Sequence, residues 1–204
     1  MMFPELIIVA LFIGVYGAFL LWYGGRGKAM SDTEVEDFLT EIERRSGGQA
    51  ESSFLQELRE LTKSDDGREF YMINLMKFRE KAKYPAGSEF GDDPMAANDR
   101  YNRAIIPQLL KYGGHPVFAS KVMGRFIHPK GVDDWEQVAM VRYRSRRDML
   151  KMIVALADKD IGIHKWAALE KTQVFPVKPF LSLFSVRITA AVFLLGLAGL
   201  VIFL

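Results

Sequence analysis

In the run Phe70-Tyr71-Met72-Ile73-Asn74-Leu75-Met76-Lys77-Phe78, aromatic and aliphatic side chains occupy nearly every position on both alternating faces. Successive side chains of a β-strand point to opposite faces of the sheet, so this run predicts a strand that is covered on both sides. We expect the strand to open a central domain that spans residues 69–178.

The residues after this strand alternate between helical and strand-like patterns. We expect a helix over 94–112, paired strands over 117–126 and 135–143, helices over 145–157 and 161–171, and a last strand over 172–177. The order strand, helix, strand, strand, helix, strand is that of the α+β, ferredoxin-like βαββαβ fold. Helices of this fold cover one face of the sheet. A second copy of the same sheet is the simplest way to bury the other face. The pattern therefore predicts a homodimer.

Two amphipathic helices precede this domain and form a helical N-terminal extension over residues 31–66. The first begins near Ser31, which is a typical N-cap residue, and ends at Gly47-Gly48. The second covers about 52–63. Apolar residues recur in both at helical spacing, so we expect each helix to bury one side.

Apolar stretches occur at both ends of the chain, and we expect them to form transmembrane helices over 4–25 and 183–204. A bilayer core of about 30 Å needs about 20 apolar helical residues. A cleaved signal peptide is the rival for the first stretch, but no positive charge precedes it and no small-residue cleavage pattern follows it. Lysine and arginine lie on the domain side of both stretches. This distribution predicts a two-pass inner-membrane protein with a cytoplasmic central domain.

Small residues recur every four positions in the first apolar stretch, at Ala10, Gly14 and Ala18. Small residues at this spacing let membrane helices approach one another closely. We call these three residues the small-residue strip. Its expected partner is the second membrane helix of this chain, a second copy, or another membrane protein. The alternative is that the strip reflects only the general abundance of small residues in membrane helices.

Several segments of the central domain carry a resemblance to a known family: Phe70–Phe78, Tyr84-Pro85, Tyr101, 110–114, 135–139, 141–146 and 164–170. Together they resemble the DUF1330-like branch of the dimeric α/β-barrel superfamily, over about residues 69–177. The resemblance implies the ferredoxin-like fold, but the branch itself is of unknown function. The wider superfamily includes haem-degrading and quinone-forming monooxygenases, isomerases of small lactones, and proteins that only bind ligands. Their sites usually lie between helices and sheet.

Asn74 and His164 are the candidate catalytic residues. Asn74 is a lone amide among the apolar side chains of one strand face, where it either orients a ligand or bonds to neighbouring backbone. His164 lies beside Trp166 on an expected helix, as a titrating group or as an exposed or helix-capping residue. The three histidines lack metal-ligand spacing and cysteine is absent, so we expect no metal and no cofactor.

Tyr101, Arg125 and Tyr143 are the candidate ligand-binding residues, as hydrogen-bond donors or an anion contact that close a pocket. Each suits packing equally well, because aromatic rings bury apolar area and arginine stems cover surface. The basic run over 142–147 either contacts anionic lipid headgroups or forms a solvated surface.

These features favour a membrane-anchored protein that binds a small apolar ligand or a membrane partner. Confinement to the bilayer raises the effective concentration of a ligand that partitions into lipid. The alternatives are a monooxygenase or isomerase of a lipophilic small molecule, and a structural subunit of a membrane complex. A net charge of +2, with basic and acidic residues interspersed, predicts no nucleic-acid partner.

Overall fold

The computed structural model describes residues 4–24, 27–180 and 185–203, and its helices and strands are numbered here in chain order. The helices are α1 (Pro4–Gly24), α2 (Asp32–Arg45), α3 (Ser52–Thr62), α4 (Pro94–Lys111), α5 (Arg146–Leu156), α6 (Ile161–Ala168) and α7 (Val186–Phe203). The strands are β1 (Phe70–Phe78), β2 (His115–Lys121), β3 (Gln137–Tyr143) and β4 (Leu169–Val177).

The four strands form an antiparallel sheet in the order β2-β3-β1-β4. β1 is therefore central and has a partner on each side. At its middle, Asn74 lies opposite Ala139 of β3 and Val174 of β4. The expected α+β class, with helices between the strands in the expected order, is confirmed.

Several boundaries differ from the sequence prediction, and β3 begins at Gln137 rather than at 135. β2 covers His115–Lys121 rather than 117–126, and the residues between β2 and β3 form a long loop. Gly124 and Pro129 within this loop disfavour continued strand pairing. α6 ends at Ala168, and β4 begins at Leu169 rather than at 172. Leu169 joins the strand because it pairs with Phe78 beyond a register shift in β1.

The helices pack against one face of the sheet in two groups. α2, α3 and α5 cover the end of this face that carries Phe70 and Met72, and Leu150 is fully buried there. α4 and α6 cover the other end, around Met76 and Phe78. The N-terminal extension therefore shares a hydrophobic core with the sheet.

α1 is the one helix among residues 4–24, 27–180 and 185–203 that is long and apolar enough to cross a membrane. α7 is apolar but shorter, so the structure supports one candidate span rather than the two expected. Residues 25, 183, 184 and 204 of the expected spans lie outside the described residues. α1 and α7 pack together, and the Tyr16 hydroxyl donates to the Arg187 carbonyl at 3.1 Å.

The small-residue strip does not face α7. Ala10, Gly14 and Ala18 are exposed, and a Cβ atom on Gly14 would meet nothing within 4 Å. Tyr16, on a different face of α1, provides the contact with α7. The expectation that the strip packs against the second helix of the same chain is therefore wrong. Contact with a second copy or another membrane protein stays a prediction.

Candidate functional site

Tyr101 and Tyr143 lie in the layer between the helices and the sheet, on α4 and β3. Burial raises the pKa of Tyr101 to about 12. Burial also raises the pKa of Tyr143, and the neighbouring Tyr101 phenol adds to this shift. Both phenols are therefore protonated at neutral pH, where a hydroxyl can donate a hydrogen bond to a ligand. The structure thus brings together two of the three predicted ligand-binding residues.

Lys165 of α6 lies beside Tyr101 of this pair, with its ammonium nitrogen 5.9 Å from the centre of the Tyr101 ring. Burial lowers the pKa of Lys165, because the charged form loses its hydration in this layer. Lys165 was not among the predicted site residues. Its signal was a single lysine inside the apolar segment Ile161–Ala168. We call Tyr101, Tyr143 and Lys165 the interior cluster.

Asn74 occupies the middle of β1 on the face that the helices cover. Its side-chain amide donates a hydrogen bond to the carbonyl of Met72, two residues earlier in the same strand, at 3.2 Å. This contact is the backbone role that the sequence analysis weighed against ligand orientation. A side-chain carbonyl that remains on this face can still accept a hydrogen bond from a ligand.

His164 lies on a different side of α6, against the loop that joins β1 to α4. Its Nδ1 is 2.9 Å from the Tyr84 hydroxyl. The centres of the His164 and Phe90 rings are 4.9 Å apart, and the two rings are arranged edge to face. Burial lowers the pKa of His164, and the nearby Arg100 guanidinium lowers it further. The imidazole is therefore neutral at pH 7. Asn74 and His164 contact separate sets of residues, so the structure does not bring the two catalytic candidates together.

Arg125 lies on the exposed loop between β2 and β3, apart from the tyrosine pair. Its Nε donates to Asp134 at 2.7 Å, and His128 approaches the same carboxylate at 3.4 Å. These residues line an open groove of about 1060 Å³ to which neither Tyr101 nor Tyr143 contributes. Hydrogen bonding to Arg125 holds the pKa of Asp134 below its usual range. Arg125 is thus placed to serve this groove rather than the interior cluster.

Arg142 of β3 is fully buried at the end of the sheet face that the helix layer leaves open. Its guanidinium donates to the carbonyl of Tyr23 at 2.6 Å, to the carbonyl of Gly113 at 2.9 Å and to Glu69 at 2.9 Å. The same guanidinium stacks 3.6 Å from the centre of the Tyr23 ring. Because the last carbonyls of a helix lack intrahelical partners, Arg142 acts as a cap for the C-terminal end of α1.

Glu69 and His115 complete this contact between α1, α7 and the sheet. Glu69 accepts a second hydrogen bond from Arg187 of α7 at 2.7 Å. Burial raises the pKa of Glu69, but the hydrogen bonds from Arg187 and Arg142 outweigh burial and hold it below its usual range. His115 Nδ1 donates to the Pro116 carbonyl at 3.0 Å, and its Nε2 forms a hydrogen bond with the Tyr23 hydroxyl at 2.8 Å.

We call Tyr23, Glu69, His115, Arg142 and Arg187 the junction cluster. Arg142 was predicted only as a member of the basic run over 142–147. The available signal was alternation: in the strand over 137–143, Arg142 falls on the same face as the apolar residues Val138 and Met140. A charge at such a position needs a partner, but the strand pattern does not show that the partners lie on α1 and α7.

Within residues 4–24, 27–180 and 185–203, no group of three or more histidine, cysteine or acidic side chains is arranged to hold a metal ion.

Comparison with known proteins supports the fold. The chain is similar to the crystal structure of RPA0582, a protein of unknown function from Rhodopseudomonas palustris. The TM-score is 0.55 and the identity 22%, over 66% of this chain and 97% of that one. The structure of methylated RPA0582 matches with a TM-score of 0.55 and 24% identity, over 65% of this chain and 94% of that one. No protein-family model and no curated protein matches the chain.

Proposed function

We propose that this protein is anchored in the inner membrane by α1 and α7, and that its cytoplasmic domain dimerises and binds a small apolar ligand or a membrane partner. The observation that carries the proposal is the exposed apolar surface of α1. Tyr23 is the one residue of Pro4–Gly24 that is buried. A 21-residue helix is about 31 Å long, which matches the hydrocarbon core of a bilayer.

The second span is α7, which contains 18 residues and packs on α1. Its length of about 27 Å is at the lower end of what a bilayer tolerates. Arg187 lies in its first turn and pairs with Glu69 of the domain, so the charge stays outside the hydrocarbon. The basic residues on the domain side of both helices favour a cytoplasmic domain.

The open face of the sheet supports dimerisation. Phe118, Met140, Ile73 and Phe175 form a row across all four strands on the face away from the helices. Phe118 is 41% exposed and Phe175 is 37% exposed. An apolar row of this kind favours burial against another surface, and a second copy of the same sheet supplies one. This arrangement fits a ferredoxin-like domain of the DUF1330-like, dimeric α/β-barrel type.

The proposed site for the small apolar ligand is the interior cluster. It offers two protonated phenols and an amine of lowered pKa within an apolar layer, and such sites combine apolar walls with a few polar groups. The same groups serve the rival function, a monooxygenase or isomerase of a lipophilic molecule, for which Asn74 and His164 are the residues to test. Asn74 and His164 contact separate sets of residues, and this arrangement favours binding over catalysis.

Single cysteines test the proposed topology, because the natural chain contains none. Glu5→Cys reports the start of α1, Met123→Cys reports the exposed loop after β2, and a cysteine added after Leu204 reports the end of α7. A membrane-impermeant maleimide applied to spheroplasts should label the two terminal cysteines and spare Met123→Cys. Inverted vesicles should show the opposite pattern. Labelling of Met123→Cys from outside, or release of the protein by alkaline carbonate, contradicts the proposal.

A further inference from the structure

A crevice of about 750 Å³ lies between the last turn of α1 and the first turn of α5. Four cationic side chains line it: Lys28, Arg144, Arg147 and Lys151. Leu21 and Trp22 form the wall on the α1 side. The crevice is separate from both the interior cluster and the groove beside Arg125.

The charge inside the crevice is unbalanced. Its two acidic residues are already neutralised, because Glu34 accepts from Arg147 at 2.5 Å and Asp148 accepts from Arg144 at 2.7 Å. Lys28 and Lys151 take part in none of the ion pairs among the described residues. Lys28 and Lys151 both line the crevice, and both help to lower the pKa of Glu34. With four cationic and two acidic side chains in its lining, the crevice carries two positive charges beyond those that its ion pairs balance.

The walls of the crevice are held in position before any ligand binds. Arg147 donates to the carbonyls of Lys28 at 2.9 Å and Ala29 at 3.2 Å, and Arg144 donates to the carbonyl of Trp22 at 3.2 Å. On the other side of this segment, a Cβ atom on Gly67 would come within 2.3 Å of the Lys28 backbone. Lys28 and Ala29 are thus held between α5 and Gly67, and preorganised sites of this kind lose less entropy on binding.

The crevice opens beside the end of the apolar helix. Leu21 is 81% exposed and Trp22 is 55% exposed at the domain end of α1. Tryptophan is enriched at the membrane interface, where its ring lies at the level of the lipid headgroups. If α1 spans the bilayer, the two unpaired lysines lie at headgroup depth, where a lysine attracts anionic lipid.

We propose that this crevice binds the phosphate of an anionic phospholipid, with the acyl chains against Leu21 and Trp22. This inference rests on the proposed function, because it requires α1 to lie in the membrane. Lys28 and Lys151 supply the unpaired charge, and the guanidinium of Arg144 presents further N–H donors. Arginine and lysine at one site suit a phosphate group, which accepts several charge-assisted hydrogen bonds.

The test is native mass spectrometry of the full-length protein, released from micelles that contain phosphatidylglycerol and phosphatidylcholine in equal amounts. The protein should retain phosphatidylglycerol preferentially. Each lysine near an anionic surface strengthens binding about fivefold, so Lys28→Gln combined with Lys151→Gln should weaken retention about 25-fold. The matched control is Lys121→Gln combined with Lys130→Gln, which removes the same charge from an exposed region and should retain the lipid normally.

Three outcomes overturn the inference. The first is equal retention of the two lipids, and the second is unchanged retention by the double lysine variant. The third is displacement of the lipid by glycerol phosphate at equal concentration, which would assign the site to a soluble phosphate. Carbonate extraction of the same proteins separates this inference from the proposed function. If the inference alone fails, the wild-type protein still stays in the membrane; if the wild type is extracted, the proposed anchor itself fails.

Discussion

One guanidinium joins three parts of this molecule that are distant in sequence. Arg142 contacts the end of α1, the turn before β2 and the carboxylate that precedes β1, and it is fully buried while doing so. Burial of an arginine is costly unless every donor finds an acceptor, and here two carbonyls and a carboxylate supply acceptors. The position of the anchor relative to the sheet therefore depends on this residue.

Replacement of Arg142 by methionine should destabilise the protein by about 3–5 kcal/mol, the usual cost of breaking a buried ion pair. Methionine has a similar reach but donates no hydrogen bond, so the Tyr23 carbonyl and Glu69 lose a partner. Denaturant unfolding of the purified protein in detergent measures the change. Arg125→Met is the matched control: it breaks an exposed ion pair and should change stability little. Equal effects of the two substitutions would show that Arg142 has no special role.

Glu69 makes the stability that the junction cluster contributes to the folded protein depend on pH. Its folded-state pKa lies below its ordinary value of 4.5, so its contribution to stability is complete above that pH. The contribution is lost as the pH falls through the lowered pKa, because the unfolded chain binds the proton first. Thermal unfolding of wild type and Glu69→Gln should therefore differ at neutral pH and converge in acid. Melting curves that stay equally far apart from pH 7 down to about pH 3 contradict this role.

The residue scale also shows what alternation can and cannot predict. The alternating pattern assigns Asn74 to a covered face of β1, and the structure places it there. Tyr101 and Tyr143 lie together because helical and strand periodicity direct both into the same layer. The burial of Lys165 and Arg142 was not predicted, because it depends on the residues that surround each charge. Those residues belong to other helices and strands.

At the element scale, local signals predicted where helices begin better than where strands end. Ser31 was expected as an N-cap and a helix was expected from residue 145, and the side chains of Ser31 and Ser145 each accept a hydrogen bond from the backbone of the first turn. Strand ends depend on pairing with distant residues. Leu169 fits the apolar pattern of α6 equally well and becomes a strand residue only through its pairing with Phe78.

The small-residue strip of α1 predicts that two copies of this helix associate. α7 leaves the strip exposed, so we expect it to contact α1 of a second copy in the bilayer. Gly14→Leu should then lower energy transfer between labelled copies diluted into lipid vesicles several-fold, since bulk at this position separates the helices. Val15→Leu, on an exposed neighbouring position, serves as the control and should leave energy transfer unchanged. If Gly14→Leu also has no effect, the strip does not mediate association of two copies.

For the whole molecule, the open face of the sheet has a first cover within this chain, in addition to the second copy that we propose. The ends of α1 and α7 cover the row that contains His115, Arg142 and Tyr71. The next row, with Phe118 and Phe175, stays partly exposed. The sequence alone could not predict the first cover, because Tyr23 and Arg142 are 119 residues apart and no local pattern links them.

Native mass spectrometry of the full-length protein, extracted gently from its own membrane, examines anchoring, dimerisation and ligand binding together. We predict two copies of the chain with a reproducible small-molecule mass that persists when Lys28 and Lys151 are replaced by glutamine. Phe118→Glu should shift the spectrum to single copies, whereas Leu110→Glu, an exposed position on α4, should not. A single copy of the wild-type chain with no bound mass, or a complex with a different polypeptide in place of the second copy, would contradict the proposed function.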